Sequence, residues 1–171
     1  MSAESGNPTY TGGCLCGAVR YEGGELWGAA YCHCRICQKS VGNAFSAFAQ
    51  FPRDSFRLTH GEPRWYRSSE LGERGFCAEC GTPLFVRYLT AEFSDWIVAL
   101  IGSLDHPETV APRRHFGAES MLPWLEIVDD LPRDSYPENF IEECVAHDRV
   151  NLDRRPSGFQ IGANRGRARI R

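Results

Sequence analysis

The chemistry of this chain is concentrated in its cysteines. Tyr31-Cys32-His33-Cys34-Arg35-Ile36-Cys37-Gln38-Lys39 places three thiols within six residues. One further pair lies on each side: Cys14-Leu15-Cys16 before it, and Cys77-Ala78-Glu79-Cys80-Gly81 after it. Seven of the eight cysteines therefore fall into three tight groups, and thiols so spaced are placed to share a soft divalent cation. Only Cys144 stands apart, and no chemistry is assigned to it.

Four thiolates make a closed tetrahedral zinc site, while three leave a position for water or an incoming ligand. Cys14, Cys16, Cys77 and Cys80 pair as the closed, structural set, and Cys32, Cys34 and Cys37 remain as the open, catalytic one. Spacing alone does not dictate this pairing: Cys77 and Cys80 could join the triplet, or a fourth protein ligand could close it. A thiol bound at the open position loses its proton near neutral pH. His33 points away from its neighbours if the segment is extended, so it reads as a surface histidine and not a ligand. Arg35 and Lys39 flank the triplet and could receive the carboxylates of an anionic substrate. Gly42 and Phe45 could wall a pocket. His115 reads as a histidine packed at a strand end, with proton transfer as the sharper role, and Trp124 as core.

The elements that must position these groups read as short strands between Gly/Pro turns, which implies an all-β fold. Strands are expected over 18–22, 27–31, 44–51, 56–59, 65–69, 84–89 and 96–103, with lesser candidates at His115-Phe116 and Leu125–Ile127. In the 44–51 stretch Phe45, Ala47, Ala49 and Phe51 share one parity and Phe48 takes the other. Trp96–Ser103 is the most apolar strand and is expected to be central. Gly72 and Gly75 bracket an expected loop, Ser40–Asn43 a helical turn, and Pro137–Cys144 a short helix.

Residues 1–9 form a polar leader, 10–147 the zinc domain, and 148–171 a basic tail, whose residues 149–171 carry seven arginines against one acidic residue. The whole chain of 171 residues is 42% hydrophobic and 24% charged, with a net charge of −3. That balance argues for a globular domain and offers no general case for nucleic acid or membrane binding. With no export signal and no long apolar run, the expected compartment is the cytoplasm, where thiols stay reduced and available as ligands.

Gly13-Cys14-Leu15-Cys16-Gly17, Cys32-His33-Cys34-Arg35-Ile36-Cys37-Gln38-Lys39 and Phe76-Cys77-Ala78-Glu79-Cys80-Gly81-Thr82 resemble the glutathione-dependent formaldehyde-activating enzyme family, whose domain is shared with centromere protein V. Gly102-Ser103-Leu104-Asp105, His115-Phe116, Ser120 and Pro123-Trp124 extend the likeness, which runs from about Gly12 to Pro132. The resemblance implies a β-tent fold, with small antiparallel sheets around a structural four-cysteine zinc. It implies that Cys14, Cys16, Cys77 and Cys80 hold that zinc and that Cys32, Cys34 and Cys37 hold a second. It also implies carbon–sulfur lyase activity: addition of a thiol such as glutathione to a small aldehyde such as formaldehyde, or the reverse. Two other readings are a non-catalytic zinc-stabilised module whose basic tail meets an acidic partner, and a thiol redox protein cycling Cys34 and Cys37.

Overall fold

The computed structural model describes residues 9–136. Most of the leader, the helix expected at Pro137–Cys144, Cys144 itself and the arginine-rich tail lie outside the described residues. Eleven strands and one α-helix follow in chain order among the described residues. They are β1 (Tyr10–Gly13), β2 (Arg20–Gly23), β3 (Gly28–Cys32), α1 (Arg35–Val41), β4 (Ser46–Pro52) and β5 (Phe56–His60). Then come β6 (Arg64–Arg67), β7 (Gly72–Phe76), β8 (Pro83–Tyr88), β9 (Trp96–Leu100), β10 (His115–Phe116) and β11 (Arg133–Asp134). The fold is mostly β, as the short apolar runs and Gly/Pro turns predict.

Strands β1-β2-β5 form one sheet, and β11-β10-β3-β4-β9-β8-β7-β6 form the other. Strand β9 lies inside the larger sheet between β4 and β8, which fits its apolar sequence. All pairings between strands are antiparallel except those of β10, which runs parallel to β3 and to β11. That departs from a purely antiparallel expectation: β10 arrives from a distant stretch and lies along β3 without a hairpin.

The parity of β4 explains why both faces of the large sheet are covered. Ala49 and Phe51 face one cluster with Tyr21, Leu84, Phe85 and Ile101, while Phe48 faces a second with Ala30, Cys32, Cys34 and Val98. The small sheet seals the first face through aromatic contacts. Tyr21 of β2 meets Phe85 of β8 edge to face at 5.0 Å and stacks on Phe56 at 5.2 Å. Its buried hydroxyl shares a 2.7 Å hydrogen bond with Ser103 Oγ, so the polar tip is satisfied.

Several expectations change. Gly72–Phe76 is strand β7 and not a loop: Gly75 packs against Phe85 and Trp65, where a side chain would crowd both rings. The helix starts earlier than Ser40, at Arg35, because Cys34 caps it. Leu125–Ile127 forms no strand, and Trp124 is 72% exposed and so is not core. No helix among the described residues is long and apolar enough to cross a membrane.

Candidate metal centres

The first centre is built by two related turns, one a residue longer than the other. After β1, Gly17 donates its N–H to the Cys14 carbonyl at 3.1 Å; after β7, Gly81 does the same to Cys77 at 2.9 Å. Both glycines are left-handed, with φ of 79° and 74°, a conformation that a side chain would strain. Each turn curls two thiols toward one point. Thr82 ties the turns together: its hydroxyl accepts the Leu15 N–H at 3.2 Å and lies 3.0 Å from Cys80 Sγ.

The four Sγ atoms of Cys14, Cys16, Cys77 and Cys80 all lie within 4.8 Å of one another. Cys14 and Cys16 are 3.5 Å apart and Cys16 and Cys77 3.8 Å. Sulfurs bound tetrahedrally to one zinc at ~2.3 Å sit about 3.8 Å apart, so the donor set fits that ion. The Thr82 hydroxyl and backbone N–H hold the Cys80 thiol down at about 5, which favours the thiolate that a metal needs. Cys14 and Cys77 are buried within the main core. The set joins the loop leaving the small sheet to the β7–β8 turn of the large one.

The second centre lies on the opposite face of the large sheet. Cys32 ends β3 and is 1% exposed. Cys34 caps α1, its sulfur accepting the Cys37 N–H at 3.4 Å. One helical turn then brings Cys37 round to the same side. The three Sγ atoms converge within 4.8 Å, and no further His, Cys, Asp or Glu among the described residues joins the group.

The thiols are not equivalent. Hydrogen bonds from Cys32 and then Cys34 hold Cys37 well below the ordinary thiol range, and the Arg74 charge adds to this against the opposing effect of burial. Cys34 is pushed up, first by Cys32 and Cys37 and then by burial. The Arg74 guanidinium lies 3.5 Å from Cys37 Sγ, where its charge favours the thiolate. Tyr136 places its hydroxyl 3.2 Å from Cys32 Sγ. The three thiols line a small cavity of about 50 Å³ with Phe48, Tyr88 and Arg74. An adjoining groove of about 430 Å³ shares Ile36, Ser68, Arg74, Val86 and Leu100 with it and also carries Lys39 and Tyr66.

His33 corrects the surface reading. It is fully buried, and its Nε2 lies 2.9 Å from His115 Nδ1. His115, also fully buried, places its Nε2 3.0 Å from an Asp129 oxygen. The carboxylate accepts from His115, which sets the tautomers along the pair: His115 Nδ1 accepts and His33 Nε2 donates. His33 does point away from the three sulfurs, as expected of an extended segment, but into protein. Burial, followed by the proximity of His115, lowers its tendency to protonate. His115 is a packed histidine at a strand end, as expected.

Arg35 bonds to Gln38 on its own helix. Phe45 packs on Tyr31 and His33, and Gly42 lines a separate open cleft with Arg35 and Trp124; neither lines the thiol cavity. Sequence reasoning misses Arg74, Tyr88 and Tyr136. Two flanking glycines that suggest a loop hide Arg74, and Tyr136 is 104 residues from the cysteine it touches.

A mostly β domain with two converging cysteine clusters able to hold metal ions is thus the class that the fold and sites define. The sequence profile described as "Glutathione-dependent formaldehyde-activating enzyme" matches residues 9–120, well over half the chain, and the chain belongs to that family. A Schizosaccharomyces pombe protein named "Uncharacterized lyase C29B12.13" is 34% identical over 82 residues, which are 47% of this chain and 59% of that protein. A Halomonas elongata protein named "Putative glutathione-dependent formaldehyde-activating enzyme" is 27% identical over 155 residues, covering 83% of this chain and 96% of that one. A solved Rhodobacter sphaeroides protein shows a distant likeness, at TM-score 0.46 and 18% identity over 72% of this chain and 98% of that one.

Proposed function

We propose that this protein is a zinc-dependent carbon–sulfur lyase that joins a thiol such as glutathione to a small aldehyde such as formaldehyde, or runs the reverse. In this reading Cys14, Cys16, Cys77 and Cys80 hold a structural zinc, and Cys32, Cys34 and Cys37 hold a second with a position to spare. One observation carries the proposal: the smaller set of thiols has three members and opens onto a cavity beside a groove, while the larger set is complete with four. A bound zinc supplies a thiolate at neutral pH by stabilising the deprotonated sulfur.

The chain's own residues then do the rest. The groove has room for the body of a peptide-like thiol, and Lys39 on its wall suits a carboxylate. The inner cavity holds only a few water-sized groups, which selects a one- or two-carbon aldehyde. Phe48, Val86, Val98 and Leu100 on its walls exclude bulk water and strengthen every charge interaction inside. The names borne by the two curated relatives support this reading.

The test is direct. Zinc-loaded protein should contain two zinc ions per chain and form the S-hydroxymethyl adduct from glutathione and ¹³C-formaldehyde faster than the uncatalysed reaction by NMR. Adduct formation at the background rate with both sites loaded refutes the assignment, and leaves a zinc-stabilised binding module.

A further inference from the structure

Arg74 differs from other arginines of the fold. Arg20, Arg57, Arg87 and Arg114 each meet a carboxylate within 3.1 Å. For Arg74, which lies on β7 facing α1, no carboxylate partner is found among the described residues. Its partner is a sulfur, Cys37 Sγ, 3.5 Å from one terminal nitrogen. Its Nε is buried and donates to nothing. A buried N–H left without an acceptor destabilises the fold, so such a group is retained where something else uses it. The same side chain lines both the thiol cavity and the outer groove, at their junction. A guanidinium keeps its charge there and offers several donors in a fixed plane.

We propose that the cavity beside Cys32, Cys34 and Cys37 contains an oxyanion site whose donor is Arg74. This rests on the lyase reading above for its substrate, and it deepens that reading by naming the group that receives the developing charge. In the addition step the substrate sulfur donates an electron pair to the carbonyl carbon. The S–C bond forms, the C=O π pair moves onto oxygen, and an alkoxide results. Arg74 donates a hydrogen bond to that alkoxide from the unused Nε–H. The alkoxide then takes up one proton, balancing the one lost by the thiol, and no oxidant or reductant enters. Donors held in place where charge develops typically contribute 10²–10³-fold in rate. The geometry is suited to this: one terminal nitrogen of the guanidinium is engaged by the Cys37 sulfur, which fixes its plane, and the Nε–H is unspent.

Formate, a one-carbon oxyanion, probes the site without turnover. Formate titrated calorimetrically into zinc-loaded protein should bind saturably to the wild type, about tenfold or more weaker to Arg74→Lys, and undetectably to Arg74→Met. Zinc content should stay at the wild-type value in both variants. In the adduct assay kcat should fall roughly 10²-fold or more in Arg74→Met, with KM for the thiol little changed. Absence of formate binding to the wild type overturns the proposal, whatever the activity. A raised KM with unchanged kcat also overturns it, in favour of a carboxylate anchor for the thiol. Loss of zinc in Arg74→Lys overturns it too, since the arginine then serves only the metal set. If formate binds through Arg74 but no adduct forms, the lyase reading fails and the oxyanion site stands.

Discussion

At the scale of single residues, the two cysteine sets differ in what lies behind them. Cys14 is packed in the main core and bridges the two sheets, whereas Cys34 caps a short helix over a cavity. Cys14→Ser should therefore destabilise the whole domain by about 4 kcal/mol or more, in the class of lost metal sites. Cys34→Ser should keep the fold and lose one zinc and the activity. Denaturant melts with metal analysis of both variants check this, and equal loss of fold contradicts the division. The three cysteine clusters are legible from their spacing, because thiols so close together suit a shared metal ion, but which pair joins which becomes plain only when the fold brings Cys77 and Cys80 to Cys14 and Cys16. Arg74 is illegible: a lone arginine between glycines has no pattern, and its partner thiol is 37 residues away.

At the scale of elements, the Cys32–Cys34 segment is held from outside as much as from within. Strand β10 pairs with β3, and the His33 N–H donates to the Phe116 carbonyl at 2.8 Å. Gly117 follows with φ of 65°, and a Cβ there would come within 2.9 Å of the Cys34 backbone nitrogen. Gly117→Ala should cost about 1–3 kcal/mol and weaken zinc at the triplet by pushing on Cys34, leaving the four-cysteine zinc in place. A chelator titration that removes the second zinc at the same concentration as in wild type contradicts this. Alternation in β4 and the apolar run of β9 are readable in the sequence, since each buries a repeating face. Strand β7 and the pairing of β10 are not: glycine there serves close packing, and a two-residue strand has no periodicity. His33 reads wrongly as surface for the same reason, since its covering comes from β10 and not from its own segment.

At the scale of the whole molecule, the sheets are joined by the four-cysteine set and by Tyr21. Burial pushes the Tyr21 phenol up to about 12, against about 10 in an unfolded chain. A raised folded value means that the native state holds this proton more tightly. Its contribution is intact below about pH 10 and is lost as pH rises from there toward about 12, on the order of 2–3 kcal/mol. Tyr21→Phe should lose about 1 kcal/mol at neutral pH, from the Ser103 hydrogen bond, and show a shallower alkaline decline. Urea melts at pH 8 and pH 11 measure both; an equal alkaline loss in the two proteins contradicts the assignment to Tyr21.

The parallel seating of β10 also bears on the order in which the chain is made. Strand β3 leaves the ribosome more than eighty residues before His115 and Phe116, which close its second side. During that interval β4 covers one flank of β3 and the other presents bare amides next to reduced thiols. A chain stalled or cleaved before residue 115 is left with that flank open, and should aggregate through it where the finished chain does not.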